Sequence, residues 1–330
     1  MYSISGKEAE KIPSVTFSEL NLLENDIEEL IRNNIEMICD EEESMLIVGK
    51  QVRNERNGRS DLTAVDNNGN IVLIEIKRDM RDIVSRKEAF EFQAIRYAAS
   101  YATINDTDDL VKKVYSPYIE KNKSEFDIGE LTSYELGIRK LNEFLETNNA
   151  DKSFNEKQRI ILVASEFDEQ TLSAVAWLNN NGVDISCYQL VPYKVNENIL
   201  FSVEKLLPVT DYMDYFVNLI DNTSSYKRKS GKQSTRRSLP KIDTMLEWGV
   251  VKEGDTIIAK GKGDEAVLLK NGNVIVDGEE KSMQAWLKAL YGWSSIQTYV
   301  FAIHKETGKL LSEIRKEYME RQEELNSLNE

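Results

Sequence analysis

The chain has 330 residues, which suggests two domains. Its 42 Lys and Arg against 57 Asp and Glu give a net charge of −15. This charge argues against non-specific coating of nucleic acid, but it leaves room for a local basic groove. The single histidine, His304, excludes a histidine-rich zinc site and argues against a Ser-His-Asp triad, so any metal would be held mainly by oxygen, as Mg²⁺ or Mn²⁺ is. The 2 cysteines, the lack of an apolar run of membrane-spanning length and the lack of an apolar N-terminal signal core indicate a reduced, cytoplasmic protein.

The first elements follow from apolar periodicity. Apolar residues recur every three or four positions from about Phe17 to Cys39 and predict one long helix. The stretch 44–52 predicts a strand, and two further apolar strands flank the turn at 67–69. An alanine-rich helix is predicted over 86–102, and the charged stretch 105–150 is mostly helical.

The next elements alternate between strand and helix. The apolar run 159–167 predicts a buried strand, and 169–182 predicts a helix that ends at Gly182. Two more strands are predicted over 183–193 and 198–208. This alternation predicts an α/β domain, spanning 1–225, with a mixed sheet flanked by helices on both faces.

A basic stretch at 226–238 follows, and its composition is that of a flexible linker. We expect it to attract DNA locally. Its cationic residues are Lys227, Arg228, Lys229, Lys232, Arg236 and Arg237.

The remaining residues, 239–330, predict a small α+β domain. Asn271-Gly272 lies between two apolar runs and is a strong hairpin signal. Ser282 is placed to cap a helix that stops at Gly292. The many aromatic residues have two interpretations: a small core needs large side chains, or one or two of them, with Trp293 and Tyr299 as candidates, line a cleft for DNA.

The hairpin at 58–79 contains three charged residues in otherwise apolar strands. A three-residue turn, Asn67-Asn68-Gly69, pairs the residues on either side of it, and counting back along both strands places Asp61 opposite Glu75. Opposed residues share a face, and Lys77, two positions beyond Glu75, shares it too. Two facing carboxylates repel each other unless a cation lies between them.

A divalent metal would relieve that repulsion, and the carbonyl of Ile76 would add an oxygen ligand. Such a site would polarise a phosphate and activate a water, with Lys77 positioning or helping to deprotonate that water. The alternative is a salt-bridge cluster on an exposed hairpin. The run VLIEIK is too apolar for an exposed strand, which favours the metal site.

These residues, with Gln93 and Tyr97 on the following helix, resemble the PD-(D/E)xK nuclease superfamily, and the string from IEELI to EIKRD resembles its NucS-like members, with Ser60 standing where the motif's name has proline. The resemblance implies a restriction-endonuclease-like fold with Asp61, Glu75 and an acid of the first helix as metal ligands. By alignment of IEELI that acid is Glu28, with Glu24 and Glu29 as alternatives. It also implies that Gln93 orients Lys77 or the scissile phosphate, with Tyr97 one turn further on.

The C-terminal part resembles the RAMA domain, a domain associated with restriction enzymes and adenine methylation. The resemblance rests on Gly254-Asp255, the hairpin from Ala266 to Gly272, Ser282 with Ala285, Gly292, Tyr299, Phe301, Gly308-Lys309-Leu310 and Ile314-Arg315. Together the two resemblances imply a Mg²⁺- or Mn²⁺-dependent DNA endonuclease, as a homodimer, in restriction or phage defence. The alternatives are a structure- or mismatch-specific repair nuclease and a catalytically inert DNA-binding adaptor.

Overall fold

The computed structural model describes residues 1–39, 41–53, 58–80, 88–209 and 239–328. They form two compact units. The first unit comprises Met1–Ile38 and Met45–Val209. The second contains Cys39–Ser44 and, among the described residues, 239–328. The basic stretch 226–238 lies outside the described residues.

The first unit is built on a six-stranded mixed sheet. In chain order its strands are β3 (Met45–Arg53), β4 (Arg59–Asp66), β5 (Ile71–Lys77), β6 (Gln158–Ala164), β7 (Ile185–Val195) and β8 (Asn198–Leu207). They lie side by side in that order, antiparallel except for the parallel pairs β5–β6 and β6–β7. The predicted mixed sheet in an α/β unit is therefore confirmed. A separate two-stranded sheet, β1 (Tyr2–Ser5) and β2 (Glu8–Lys11), precedes it.

Helices flank this sheet. They are α1 (Glu24–Asn33), α2 (Phe90–Tyr101), α3 (Thr107–Leu110), α4 (Ser116–Lys121), α5 (Ser133–Thr147) and α6 (Glu169–Asn180), with a π-helical turn at Val111–Tyr115 and 3₁₀ turns at Ile35–Met37 and Lys123–Glu125. Helices α1 and α2 both contact β4 and β5. Two helices thus reach the hairpin that carries the predicted site. Among the described residues, no helix combines the length and the apolar composition that crossing a membrane requires.

The first helix is shorter than the predicted one. It begins at Glu24 and ends at Asn33, instead of running from about Phe17 to Cys39. The backbone amides of Phe17 and Ser18 donate to the Asp79 carboxylate at 3.1 and 3.2 Å, and Asn21 has φ of 57°. Residues 17–23 have the apolar spacing of a helix, but the tertiary contact with Asp79 and the left-handed Asn21 keep them out of it.

The hairpin turn forms as predicted. The amide of Asp66 donates to the carbonyl of Asn70 at 3.0 Å, and Gly69 adopts φ of 83°, the left-handed conformation that glycine adopts without steric cost. The ladder pairs Leu62 with Ile74 and the residues nearer the turn in the same register. Continued one position beyond its last pair, this register would place Asp61 opposite Glu75.

The second unit contains a six-stranded antiparallel sheet in the order β12-β11-β10-β9-β13-β14. Its strands are β9 (Thr256–Ala259), β10 (Glu265–Leu268), β11 (Val274–Val276), β12 (Glu279–Lys281), β13 (Ala302–His304) and β14 (Lys309–Leu310). Its helices are α7 (Ile242–Glu247), α8 (Met283–Tyr291), α9 (Thr298–Phe301) and α10 (Leu311–Leu328). The predicted hairpin at Asn271-Gly272 and the α8 limits, Ser282 as the cap and Gly292 in the left-handed conformation, are confirmed.

The segment Cys39–Ser44 belongs to the second unit although its neighbours in sequence belong to the first. The amide of Thr298 donates to the carbonyl of Glu41 at 2.8 Å. The Arg315 guanidinium, which is buried, donates to the Glu42 carboxylate at 2.6 Å. Further hydrogen bonds join the segment to Ser295, Gln297 and Tyr299. These contacts make the acidic segment part of the second unit's packing.

Candidate metal centre

The centre of the site is the carboxylate pair on β4 and β5. Asp61 and Glu75 are 3% and 0% exposed. The amide of Asp61 donates to Glu75 Oε1 at 3.4 Å, and the amide of Ile76 donates to Asp61 Oδ2 at 2.7 Å. The antiparallel register thus brings two acids together inside the protein, on the strands and at the positions that the turn predicts.

Lys77 supplies the cation nearest to these acids, and it is 2% exposed. Its Nζ lies 3.8 Å from Asp61 Oδ2 and donates to Glu24 Oε1 at 3.1 Å. It also donates to the carbonyl of Ile76 at 2.6 Å and lies 5.6 Å from the centre of the Phe90 ring. One ammonium group therefore serves several acceptors, among them the carbonyl that the sequence predicts as a metal ligand.

Helix α1 adds two more carboxylates. Glu24 and Glu28 are four residues apart on one helix face, and each offers an oxygen within 4.8 Å of the other and of Asp61. Glu28 is 1% exposed. Glu29 points elsewhere, pairing with Lys50 and, at 2.7 Å, with Arg32. Of the three acids considered from the sequence, the structure therefore brings Glu24 and Glu28 to the centre.

The acids are held at a cost in free energy. Burial, then repulsion from Asp61, raises the pKa of Glu75 well above its ordinary value and raises the pKa of Glu28. Burial also raises the pKa of Asp61, although Lys77 opposes this rise. For Lys77, burial would lower the pKa of the ammonium, but the surrounding carboxylates, led by Asp61, outweigh it and raise the pKa. The site therefore holds more negative charge than its lysine compensates.

The donor set fits a hard divalent cation. Glu75 Oε2 is fully buried and has no hydrogen-bond partner among the described residues. A buried carboxylate oxygen without a partner is rare because its desolvation is not offset. Asp61, Glu75, Glu28 and the carbonyl of Ile76 offer only oxygen, the ligand type of Mg²⁺ and Mn²⁺.

Helix α2 packs its polar and aromatic side chains against the same two strands. Gln93 Nε2 donates to the hydroxyl of Tyr97 at 3.3 Å, and that hydroxyl accepts from the amide of Arg59 at 2.9 Å. The hydroxyl of Tyr101 lies 2.7 Å from Thr63 Oγ1. Gln93 and Tyr97 thus share a helix face and a hydrogen bond, and they join α2 to β4 two residues before Asp61.

Two residues at the site had no signal in the sequence. Lys50 Nζ lies 3.7 Å from Glu28 Oε2, and Gln51 Nε2 donates to the same oxygen at 2.9 Å. Neither belongs to a motif, and Gln51 reaches its position through φ of 54°, which a glutamine seldom adopts.

The two aromatic residues of the second unit that were candidates for DNA contact, Trp293 and Tyr299, are buried. Trp293 and Tyr299 are 6% and 1% exposed and pack in the core. Trp293 lies against Tyr291 and Phe301, with ring centres 4.9 and 5.3 Å apart. The packing interpretation of these rings accounts for their positions. The six basic residues of 226–238 lie outside the described residues.

A scan of the chain against protein-family models and a search of curated proteins each found no match. Only the residues of the site and their geometry therefore bear on the function of the protein.

Proposed function

We propose that the protein is a metal-dependent DNA endonuclease of the PD-(D/E)xK type. The observation that carries the proposal is the buried pair Asp61 and Glu75 beside Lys77, with Glu75 Oε2 finding no hydrogen-bond partner in the described part of the chain. Several buried carboxylates around one lysine weaken a fold, and such costs concentrate at functional sites. The resemblance of this residue set to the superfamily, noted from the sequence, supports the same conclusion.

Asp61, Glu75, Glu28 and the carbonyl of Ile76 would hold Mg²⁺ or Mn²⁺. When bound, the ion supplies Lewis-acid activation of the phosphate and a more acidic water. The burial of Asp61 and Glu75 excludes bulk water from the ligand oxygens and fixes their positions. Helix α1 contributes Glu28 from a separate element, so the set converges only in the folded chain.

Lys77 acts as a cation in this proposal. Because the neighbouring carboxylates raise the pKa of its ammonium group, Lys77 is protonated at neutral pH before an ion binds. Its role is then to position the attacking water or to stabilise negative charge on the phosphate. Gln93 and Tyr97, which are joined by a hydrogen bond, would hold helix α2 beside Lys77.

We further propose that the enzyme works in restriction or phage defence and that the second unit senses DNA modification. This part is supported by the resemblance of residues 239–330 to a domain associated with methylation. A homodimer would supply the two active sites that cutting both strands requires. A mismatch- or structure-specific repair nuclease uses the same site chemistry and is the second candidate.

The test is cleavage of plasmids that differ in methylation, and of mismatched and branched duplexes, with Mg²⁺ and with Mn²⁺. Asp61→Asn and Lys77→Met are expected to abolish cleavage while thermal unfolding stays cooperative. Glu91→Gln is the matched control, because Glu91 is also buried but bonds Thr171 instead of the carboxylate pair. Full cleavage by Asp61→Asn would overturn the nuclease assignment, and wild-type protein that binds neither ion would favour the inert adaptor.

A further inference from the structure

Two consecutive residues of β3, Lys50 and Gln51, direct their side chains to the same helix. In a regular strand, neighbouring side chains point to opposite faces of the sheet. Here Lys50 Nζ donates to Asn25 Oδ1 at 3.0 Å and lies 3.7 Å from Glu28 Oε2. Gln51 Nε2 donates to that same Glu28 oxygen at 2.9 Å. These three contacts, and the ion pair of Lys50 with Glu29, are all on α1.

The cause is the backbone of Gln51, whose φ of 54° lies in the left-handed region. A non-glycine residue pays for this conformation, and such residues persist where the surrounding structure holds them. The left-handed residue interrupts the alternation of the strand, so that the ammonium of Lys50 and the amide of Gln51 both face α1.

The strand register places Gln51 beside the carboxylate pair. The β3–β4 ladder pairs Lys50 with Leu62 and Val52 with Ser60, so that Gln51 lies opposite Asp61. The β4–β5 register, continued one position beyond its last pair of Leu62 and Ile74, places Asp61 opposite Glu75. One row across three strands therefore contains an amide and two acids, and the amide holds the acid that α1 contributes.

We propose that Gln51, assisted by Lys50, is a positioning residue that fixes the Glu28 carboxylate toward Asp61. This inference rests on the proposed metal site and deepens it. Glu28 belongs to a helix, and its carboxylate must be oriented toward groups on the sheet. A hydrogen bond to Oε2 and a nearby cation fix that orientation before an ion binds, which lowers the cost of binding it.

The test uses Gln51→Gly in the full chain. Glycine adopts a φ of 54° without steric cost, so this variant removes the amide while keeping the backbone path. Asn196→Gly is the matched control, because exposed Asn196 has φ of 55° in the turn between β7 and β8, far in sequence from the site. We expect the melting temperature of metal-free Gln51→Gly to equal or exceed that of the wild type.

Binding of Mn²⁺ alone is then measured by calorimetry. We expect the dissociation constant to rise by about tenfold in Gln51→Gly, as losses of groups that orient ligands do, and to stay unchanged in Asn196→Gly. In cleavage assays, kcat falls and KM for DNA stays constant. Gln51→Asn, whose shorter amide tolerates the same backbone, should recover part of the affinity.

The outcomes separate this inference from the proposed function. Mn²⁺ affinity of Gln51→Gly within twofold of the wild type, while Glu28→Gln binds weakly, overturns the positioning role and leaves the nuclease proposal intact. Wild-type protein that binds Mn²⁺ but cleaves no substrate overturns the nuclease proposal, and weakened binding in Gln51→Gly would still support the positioning role. Wild-type protein that binds no Mn²⁺ overturns both.

Discussion

Glu75 concentrates the energetic cost of the site in one side chain. Its pKa in the folded protein is raised well above the ordinary value of 4.5 by burial and by Asp61. The folded state therefore holds this proton more tightly than the unfolded state does. As the pH rises from about 4.5 through the folded-state pKa, the free energy of unfolding of the metal-free protein falls.

We therefore expect Glu75→Gln to be more stable than the wild type at pH 7.5 in EDTA. A gain on the order of 1 kcal/mol would raise the melting temperature by roughly 2–4 °C in a domain of this size. The gain should shrink toward pH 4, where the wild-type carboxyl is protonated. Thermal unfolding across this pH range measures it, and a variant less stable than the wild type at every pH would contradict the account of the site. Mn²⁺ should stabilise the wild type and leave Glu75→Gln unaffected.

At the scale of single residues, the sequence was sufficient where backbone geometry is regular. The turn at 67–69 sets the register, and that register, continued one position beyond the last ladder pair, places Asp61 opposite Glu75. Glu28 came only from the family resemblance, by alignment of IEELI, with Glu24 and Glu29 as alternatives. Lys50 and Gln51 could not be predicted, because a left-handed glutamine has no sequence signature. For Tyr299 the sequence left core packing and a DNA cleft as two interpretations, and its burial agrees with the packing one.

At the scale of elements, the β4–β5 hairpin depends on glycine at its turn. A Cβ on Gly69 would lie 3.0 Å from the carbonyl oxygen of Ala150 and 3.2 Å from Cα of Phe154, at φ of 83°. Gly182 has the same φ, but nothing lies within 4 Å of its Cβ position. The two glycines therefore separate backbone strain from close contact.

We expect Gly182→Ala to cost about 1 kcal/mol, from the left-handed backbone alone, and Gly69→Ala to cost clearly more, about 2–3 kcal/mol. Urea denaturation of both variants measures the difference. Equal losses would mean that the backbone near Ala150 moves freely out of the way of the added methyl group.

Asp79, which follows β5 and is 7% exposed, joins the end of that strand to the segment that precedes α1. Its carboxylate accepts from the amides of Phe17 and Ser18 and from the Ser18 hydroxyl. Asp79→Asn replaces one acceptor oxygen by a donor, and we expect a loss of roughly 1–3 kcal/mol in the free energy of unfolding. Arg78→Ala removes the 3.6 Å ion pair with Asp79 and should cost less than 1 kcal/mol in the same denaturation experiment. The reverse order of losses would contradict this.

Element boundaries were predictable where local chemistry sets them. Ser282 caps α8, and Gly292 ends it. The start of α1 was not predictable, because its limit depends on Asp79, about sixty residues away in sequence. Apolar spacing continues through 17–23, but the tertiary hydrogen bonds to Asp79 and the left-handed Asn21 remove that stretch from the helix.

At the scale of the whole molecule, the segment Cys39–Ser44 contributes a buried ion pair to the second unit. Glu42→Ala leaves the buried guanidinium of Arg315 without its carboxylate, which costs about 3–5 kcal/mol in comparable cases. Glu317→Ala is the control, since its pair with Lys309 is half exposed and should contribute about 0–1 kcal/mol.

Tryptophan fluorescence suits this measurement, because Trp248, Trp286 and Trp293 lie in the second unit and only Trp177 lies in the first. A Trp177→Phe background removes the remaining signal. If Glu42→Ala unfolds at the same urea concentration as Glu317→Ala, the segment contributes little to the stability of the second unit.

Composition marked a basic linker, and the order of predicted strands and helices gave an α/β part before it and a small α+β part after it; the structure has two units. The assignment of the six residues Cys39–Ser44 to the second unit could not be predicted from the sequence. An acidic stretch between a helix and a strand is typical of a solvated loop, and its partners, from Ser295 to Arg315, lie more than 250 residues further along the chain.

A gene divided between residues 225 and 239 would separate Cys39–Ser44 from the unit in which this segment packs. A polypeptide that begins at residue 239 lacks part of its own interior, while the fragment 1–225 carries that missing piece as an extra appendage. Expressed as two separate fragments, the halves should recognise each other and co-purify through this borrowed hexapeptide, as in split-protein complementation. Glu42→Ala in the longer fragment should then weaken their reassembly.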